Sequence, residues 1–456
     1  MNRRFDAIVI GAGQAGPPMV GRLAAAGQKV ALIERKLIGG TCVNVGCTPT
    51  KAMVASAYAA HLARRGADFG VNVGEVGVDF AAVMSRKDTI VRNSRSGLTA
   101  WLQGMANCTL LEGQARFLSP TTVRVGDDTL EAGRFFINVG CRAAAPDFPG
   151  RDQVKRLTNT TLLELGALPQ RLVIVGGSYI GLEFAQIFRR FGSEVTVVEK
   201  MPRVIPREDP DVSQAIREAL EAEGIKLRLD SECIRFMPRG DDIAVGVNCA
   251  SGEPEEVGSH VLLAVGRTPN TGDLGLQAAG VKVDAHGFIL VDDGLKTSAP
   301  HIWALGDCNG RGAFTHTSYN DYEIVAANLL DGAQRKVSDR IPVYALYVDP
   351  PLGRVGLTEA EARAKGHKVR IGVRPMTRVG RAVEKGETRG FIKVVADHDS
   401  DAILGAAILG VGGDEAIHGV IEAMAAGLTA TAYTRVVAIH PTVSELVPTA
   451  FGELSP

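Results

Sequence analysis

Short apolar runs that stop at glycine punctuate this chain. Ala7-Ile8-Val9-Ile10 leads into Gly11-Ala12-Gly13-Gln14-Ala15-Gly16, which predicts a buried strand over residues 6–10, a tight turn and a helix. A second strand, Lys29-Val30-Ala31-Leu32-Ile33, then ends at Glu34. The same plan recurs in Leu172-Val173-Ile174-Val175, the turn Gly176-Gly177-Ser178-Tyr179-Ile180-Gly181, a helix, and Val195-Thr196-Val197-Val198 ending at Glu199. In both copies 23 residues separate the first glycine from the acid. Strand, glycine turn, helix, strand and acid are the parts of a dinucleotide fingerprint. The glycines let backbone N–H groups approach a pyrophosphate at a helix N-terminus, and the acid accepts ribose hydroxyls. Ser178 stands at the middle glycine position of the second copy, which predicts a less free backbone approach there, offset by a hydroxyl that can donate.

Two more apolar runs stop at glycine, Phe135–Gly140 and Val261–Gly266, and Ile302-Trp303-Ala304-Leu305-Gly306-Asp307 is a strand ending in an acid. Their order predicts a first nucleotide domain interrupted by a second and then resumed. The expected domains are residues 1–145, 146–264, 265–338 and 339–456, the third completing the first. From about Ile341 the pattern changes to β segments such as Phe391-Ile392-Lys393-Val394-Val395 and one long helix, Glu415 to Ala426. The expected fold class is α/β, with two Rossmann-like nucleotide-binding domains and a C-terminal α+β domain. A glycine count of 53 with only 5% aromatic residues suits many strand-to-helix turns and does not suit a β-sandwich.

The 456 residues carry 50 Lys and Arg against 51 Asp and Glu, a net charge of -1. That balance argues against nucleic-acid and anionic-membrane partners, which need a basic field. No apolar stretch reaches the ~18 to 20 residues of a membrane span. The N-terminus superficially resembles a signal peptide, but its apolar part runs straight into the first glycine turn, so a cytoplasmic protein is expected.

Seven cysteines, an odd number in a long chain, do not suggest a secreted disulfide framework. Cys42 and Cys47 lie in Gly39-Gly40-Thr41-Cys42-Val43-Asn44-Val45-Gly46-Cys47-Thr48-Pro49-Thr50-Lys51, just before an Ala-rich helical run. A structural disulfide over so short a loop would add only about 2 kcal/mol, and such bonds are rare in the cytoplasm. A metal site would want further ligands, for which His61 is the one nearby candidate. The favoured reading is a redox dithiol at a helix start, where the dipole lowers thiol pKa. Cys108, Cys141, Cys233, Cys249 and Cys308 are expected to be small buried apolar residues.

The first glycine turn, Cys-x4-Cys, the second Rossmann unit, the Gly-Asp strand end and His440-Pro441-Thr442-Val443-Ser444-Glu445 together resemble the FAD-dependent pyridine nucleotide–disulfide oxidoreductases. That family includes glutathione reductase, dihydrolipoamide dehydrogenase and mercuric reductase, and the resemblance spans the whole chain. It implies FAD on Gly11, Gly13 and Gly16, with Glu34 at the adenosine ribose, Asp307 at the ribityl chain, a backbone contact from Ala115, and Thr41 and Lys51 near the flavin. It implies NADH or NADPH on Gly176 and Gly181, with Glu199 at the ribose and Gly266 closing the pocket. Tyr179 matches a lid over the flavin, and Lys51 with Glu183 an ion pair beside flavin N5. Cys47 corresponds to the sulfur against the flavin and Cys42 to the one that attacks substrate. His440, oriented by Glu445, corresponds to the acid–base group, contributed by the other subunit of a homodimer.

The substrate implied is a small disulfide. A metal-ion reductase for Hg(II) or Cu(II), or a dihydrolipoamide dehydrogenase, is the alternative. Against mercury, no cysteine follows Cys308 and His440 is present. Against glutathione, the helix expected to face substrate is acidic around Asn320-Asp321-Tyr322-Glu323. Pro49-Thr50-Lys51 differs only mildly from the Pro-Ser-Lys of dihydrolipoamide dehydrogenases. Glu199 favours NADH, whereas Lys200 and Arg203 offer charge for a 2′-phosphate.

Overall fold

The computed structural model describes residues 2–248 and 254–455, and the chain divides into two compact units. The first gathers Met1–Ala52, Met84–Ala144 and Gly266–Arg340. Its seven-stranded sheet centres on Asn2–Ile10, flanked in parallel by Val30–Glu34 and Asp128–Ile137. Cys108–Glu112 extends the sheet past Val30–Glu34, and Ile302–Ala304 pairs with the far half of Asp128–Ile137. The segment after the second nucleotide motif thus adds a strand to the first sheet. Thr122–Val125 pairs antiparallel with the near half of Asp128–Ile137, and Ala115–Ser119 pairs antiparallel with Thr122–Val125 at the edge.

A parallel sheet covered on both faces needs strands apolar on both faces, and Ala7–Ile10 and Val30–Ile33 are buried throughout. Ile8, Ile10, Phe117 and Phe135 pack on one side, and Val9, Leu32, Phe136 and Trp303 on the other. The first strand starts at Asn2, earlier than the expected Asp6, because Asn2–Phe5 pairs with Thr129–Ala132.

The second unit comprises Met53–Val83, Ala145–Val265 and Ile341–Pro456. Its parallel sheet has the order Lys226–Arg228, Glu194–Val198, Arg171–Val175, His260–Leu263 and Arg156–Leu157. A three-stranded antiparallel sheet, Glu232–Arg239, Asp242–Asn248 and Glu255–Gly258, accompanies it. Beyond Ile341 lies a five-stranded antiparallel sheet in the order Val343–Leu346, Leu352–Gly356, Ile403–Leu409, Phe391–Asp397 and Val369–Pro375. Val355, Ile392, Val394, Ile408, Val420 and Phe451 form its core.

The single helix expected over 415–426 is two pieces, Gly413–Ala416 and His418–Ala425. At the break, Val420 N–H bonds the Ile417 carbonyl three residues back, a tightened turn. There the Ile417 side chain and the Gly413 carbonyl press on Gly353 of the sheet.

Cys141 and Cys308 are buried as expected, whereas Cys108 is only half-buried because it opens a strand at the sheet edge. Cys249 and the side chain of Cys233 lie outside the described residues. No helix among the described residues is long and apolar enough to cross a membrane.

Candidate active site

The two glycine turns repeat each other atom for atom where it matters. Gly11 and Gly176 adopt φ of 101° and 116°, a region that L side chains rarely enter, and a Cβ there would lie 2.3 Å from the Asn138 oxygen and 2.5 Å from the Ala264 oxygen. At Gly16 and Gly181 a Cβ would meet the carbonyl of the first turn glycine at 2.2 and 1.9 Å. Gly13 faces the Asn138 side chain. The acids match as well. Glu34 accepts from Ala12 N–H at 2.8 Å and from Lys36 N–H at 2.8 Å; Glu199 accepts from Gly177 N–H at 2.5 Å and Met201 N–H at 2.9 Å. Each carboxylate thus closes its own turn. Ser178 adopts φ -108° and ψ -170°, an extended conformation open to any residue, so serine brings no backbone strain to the second turn. Both cradles are shaped by bare backbone, which fits a dinucleotide in each.

Asn138 fastens the first turn and was not anticipated. Its Oδ1 accepts from Gly16 N–H at 3.1 Å while its Nδ2 donates to the Leu305 carbonyl at 2.9 Å. A buried amide ending the apolar run Phe135-Phe136-Ile137 was the available signal. Beyond Leu305, Asp307 lies in the turn Gly306–Asn309 and receives Arg267 Nη1 at 2.6 Å. Burial pushes the Asp307 carboxyl upward and Arg267 opposes it. Ala115 is buried, its carbonyl held by Gln114 Nε2 at 3.0 Å. Gly266 adopts φ 124° with open space around its Cα.

Of the two acids expected on a helix face near substrate, Glu323 is partly exposed and paired with Arg335 at 3.7 Å, and Asp321 is not on the surface at all. Asp321 is buried, accepts from Gly306 N–H at 2.8 Å and Asn309 Nδ2 at 2.9 Å, and is paired with Arg340. Its charge is consumed inside the first unit, so it says nothing against an anionic substrate such as glutathione disulfide.

Thr41 and Cys42 lie in the short helix Gly40–Val45, and Cys47 opens the helix Cys47–Arg64. Both thiols are free. Cys47 Sγ is 3.2 Å from Thr315 Oγ1, at the start of the helix Thr315–Leu330, and Lys51 lies one turn further along the helix of Cys47. The hydrogen bond from Cys42, helped by Thr315 and the charge of Lys51, lowers the Cys47 thiol to about 6 against the opposing effect of burial. The same bond to Cys47, reinforced by burial, pushes Cys42 upward. The surroundings therefore favour negative charge on Cys47 and the proton on Cys42. Thr315 is a third residue of this centre that sequence reasoning missed, because nothing in its own surroundings marks it. His61 belongs to the second unit, 4.0 Å from Asp349. Among the described residues no three His, Cys, Asp or Glu side chains gather as metal ligands.

In the second unit Tyr179 opens the helix Tyr179–Phe191, which also carries buried Glu183; the Glu183 carboxylate accepts from Tyr347 N–H at 3.1 Å. His440 Nδ1 is 2.9 Å from Glu445 Oε2, and the turn between them is held by Thr442, whose hydroxyl donates to the Ile439 carbonyl at 2.7 Å. The His440 side chain is 80% exposed while Glu445 is 15% exposed, so the imidazole is oriented from behind with Nε2 presented outward. Val437 and Ile439 beside it are 97% and 80% exposed.

Two family descriptions match the chain: pyridine nucleotide-disulphide oxidoreductase over residues 5–321, and the dimerisation domain of the same family over residues 343–451. The chain is 36% identical to a dihydrolipoyl dehydrogenase of Thermus scotoductus, covering 97% of this chain and 96% of that one. It is 35% identical to the probable pyridine nucleotide-disulfide oxidoreductase RclA of Escherichia coli, covering 98% and 99%. A mercuric reductase of Bacillus cereus is 34% identical over 97% of this chain and 70% of its own length. Among solved structures, a Cu(II) complex of the HOCl-induced flavoprotein disulfide reductase RclA superposes with a TM-score of 0.90 at 34% identity, covering 99% of each chain.

Proposed function

Since this chain belongs to the pyridine nucleotide-disulphide oxidoreductases, FAD-dependent enzymes that use NAD(P)H, we propose that it reduces a small-molecule disulfide through Cys42 and Cys47. The observation that carries this reading is the dithiol itself: two free thiols face each other at the start of the helix Cys47–Arg64, with Thr315 Oγ1 3.2 Å from Cys47 Sγ, and their surroundings lower Cys47 and raise Cys42. In this reading FAD rests on Gly11, Gly13, Gly16, Glu34, Ala115 and Asp307, near Thr41 and Lys51. NAD(P)H rests on Gly176, Gly181 and Glu199, with Gly266 closing its pocket, Tyr179 as lid, and Lys51 and Glu183 paired beside the flavin. The domains are 1–145, 146–264, 265–338 and 339–456.

When bound, the two cofactors supply the hydride and electron-pair transfer that returns the Cys42–Cys47 disulfide to the dithiol. Cys42 then needs a base, because its proton is held by donation to Cys47. His440 Nε2 takes that proton, and Glu445 on Nδ1 stabilises the imidazolium. The Cys42 thiolate attacks one substrate sulfur and forms a mixed disulfide, and the departing thiolate takes the proton from His440. Cys47 then displaces the second substrate thiolate and closes the Cys42–Cys47 disulfide. Oxidation of the two cysteines balances reduction of one disulfide to two thiols.

A homodimer, with His440 serving the partner's cysteines, is supported by the exposure of His440 beside apolar Val437 and Ile439. Free thiols at Cys108, Cys141 and Cys308 suit a reducing, cytoplasmic setting. NADH is the favoured donor: Glu199 is fixed at its strand end, and Arg203 is turned back to the Pro206 carbonyl at 3.1 Å rather than offered to a 2′-phosphate. Glu199→Ala is expected to raise NADPH use relative to NADH; an unaltered ratio of kcat/KM values removes that argument.

A second reading, reduction of Cu(II) or Hg(II) at the dithiol, is supported by the Cu(II) complexes of RclA among the structural relatives and by a thiolate–thiol pair suited to soft metals. The deciding experiment is anaerobic titration of the flavoprotein with NADH or NADPH, followed by lipoamide, glutathione disulfide, Cu(II) and Hg(II). A long-wavelength thiolate–flavin charge-transfer band, then discharged by a disulfide, is the expected result. Bleaching without that band means that Cys42 and Cys47 are not coupled to the flavin.

A further inference from the structure

Tyr179 is held from behind by half-buried Tyr344 and the buried charges beyond it. Its ring meets that of Tyr344 edge-on, with centroids 5.5 Å apart and planes at 80°, and the two side chains are hydrogen-bonded. The Tyr344 hydroxyl donates in turn to the Glu208 carboxylate. Glu208 is 0% exposed and pairs at 3.0 Å with the Arg354 guanidinium, itself 1% exposed, which also reaches Asp209 at 3.6 Å. Asp209 is fastened as well: it accepts from the backbone N–H groups of Glu359 and Ala360, both at 3.1 Å, and Lys393 stands 3.3 Å away.

The loop that delivers Glu208 is tied to the nucleotide turn. Ile205 N–H donates to the Gly177 carbonyl at 3.0 Å, and Glu208 N–H donates to the Ile205 carbonyl at 3.0 Å. Ile205 takes a φ of 44°, which a β-branched residue adopts only when its surroundings impose it. It is wholly buried, and the strain is stored within one hydrogen bond of the second glycine turn. A rigid, charged anchor and a strained loop therefore converge on the one side chain that the resemblance makes mobile.

We infer that Tyr344, backed by Glu208 and Arg354, latches the Tyr179 ring and so sets how readily it moves aside for the nicotinamide. Tyr344 is in this sense a positioning residue for nucleotide entry, and the inference rests on the lid reading of Tyr179. A nucleotide that needs the ring displaced binds with its intrinsic affinity reduced by the fraction of molecules already open. Losing one hydrogen bond of the latch should raise that fraction about threefold to tenfold. Tyr179 remains a hydroxyl donor at neutral pH, since burial pushes it up to about 12.

The test is calorimetric titration of the oxidised holoenzyme with NAD+, which involves no turnover. Tyr344→Phe is expected to lower the Kd about threefold to tenfold, and Tyr179→Phe, which keeps the ring and removes the other end of the bond, should do the same. Tyr179→Ala should change the Kd and abolish any further effect of Tyr344→Phe in the double variant. An unchanged Kd in Tyr344→Phe and Tyr179→Phe, with a changed one in Tyr179→Ala, overturns the latch and leaves the lid. A Kd unchanged in Tyr179→Ala overturns the lid reading itself. A Tyr344→Phe effect that persists without the Tyr179 ring marks a merely structural role and also overturns the latch.

Discussion

Cys42 and Cys47 are chemically identical residues whose surroundings shift them in opposite directions. Cys47 has a donor in Cys42, a second in Thr315 at 3.2 Å and a cation in Lys51; Cys42 also feels Thr315, but its bond to Cys47, its burial and the Cys47 charge outweigh it and favour the protonated thiol. The thiolate population at Cys47 rises as pH passes upward through about 6 and falls below it. The charge-transfer band of the two-electron-reduced protein is therefore expected to be present at neutral pH and to fade on acidification through that value. A hydrogen bond to a charged group is worth about 1.5–3 kcal/mol, so Thr315→Val should move the fading to higher pH by about 1 to 2 pH units. Thr315→Ser should restore it. A Thr315→Val band that titrates like the wild type shows that the hydroxyl does not stabilise the thiolate.

The glycine turns act at the scale of a whole strand–turn–helix element. Gly181 lets the helix Tyr179–Phe191 approach the turn so closely that a Cβ would stand 1.9 Å from a backbone oxygen. Gly181→Ala must push that helix away from Gly176, and its first turn is where the pyrophosphate is expected. The expected outcome is at least a tenfold weaker NAD+ affinity, on the basis that about 1.4 kcal/mol is tenfold, with flavin content retained because the first turn is untouched. Calorimetry and the flavin spectrum of the purified variant check both halves. The break at Ile417 belongs to the same scale. Periodicity alone reads 415–426 as continuous, and packing of the first piece against Gly353 interrupts it.

For the whole molecule the question is which chain supplies His440. Val437, Ile439 and the imidazole stand exposed together on the dimerisation domain, a surface that a second copy would cover. Co-expression of Cys42→Ser chains with His440→Ala chains separates the possibilities. If His440 serves the partner's cysteines, each mixed dimer keeps one intact site, and the mixture recovers about a quarter of wild-type disulfide turnover. Each variant alone should be nearly inactive with disulfides yet still take electrons from the nucleotide. No recovery in mixed dimers, with dimers confirmed by ultracentrifugation, places His440 with its own cysteines instead.

What the sequence determined by itself is what depends on spacing within a few turns of chain. The paired nucleotide motifs, the acids that close them, and Cys42 and Cys47 come from short intervals whose geometry the backbone dictates, and the His440–Glu445 pair from a short motif that the family resemblance singles out. Tertiary structure decided what those residues experience. Thr315 reaches Cys47 across 268 positions, Asn138 ties the first turn to Leu305 across 167, and Arg267 neutralises Asp307 across 40. Asp321 was misread for the same reason, since its acidity is spent on Gly306, Asn309 and Arg340 rather than on solvent. Contacts of that range leave no period and no motif in the chain. They arise only when the packing of strands and helices brings a donor within hydrogen-bond reach, and that packing sets which thiol carries the charge.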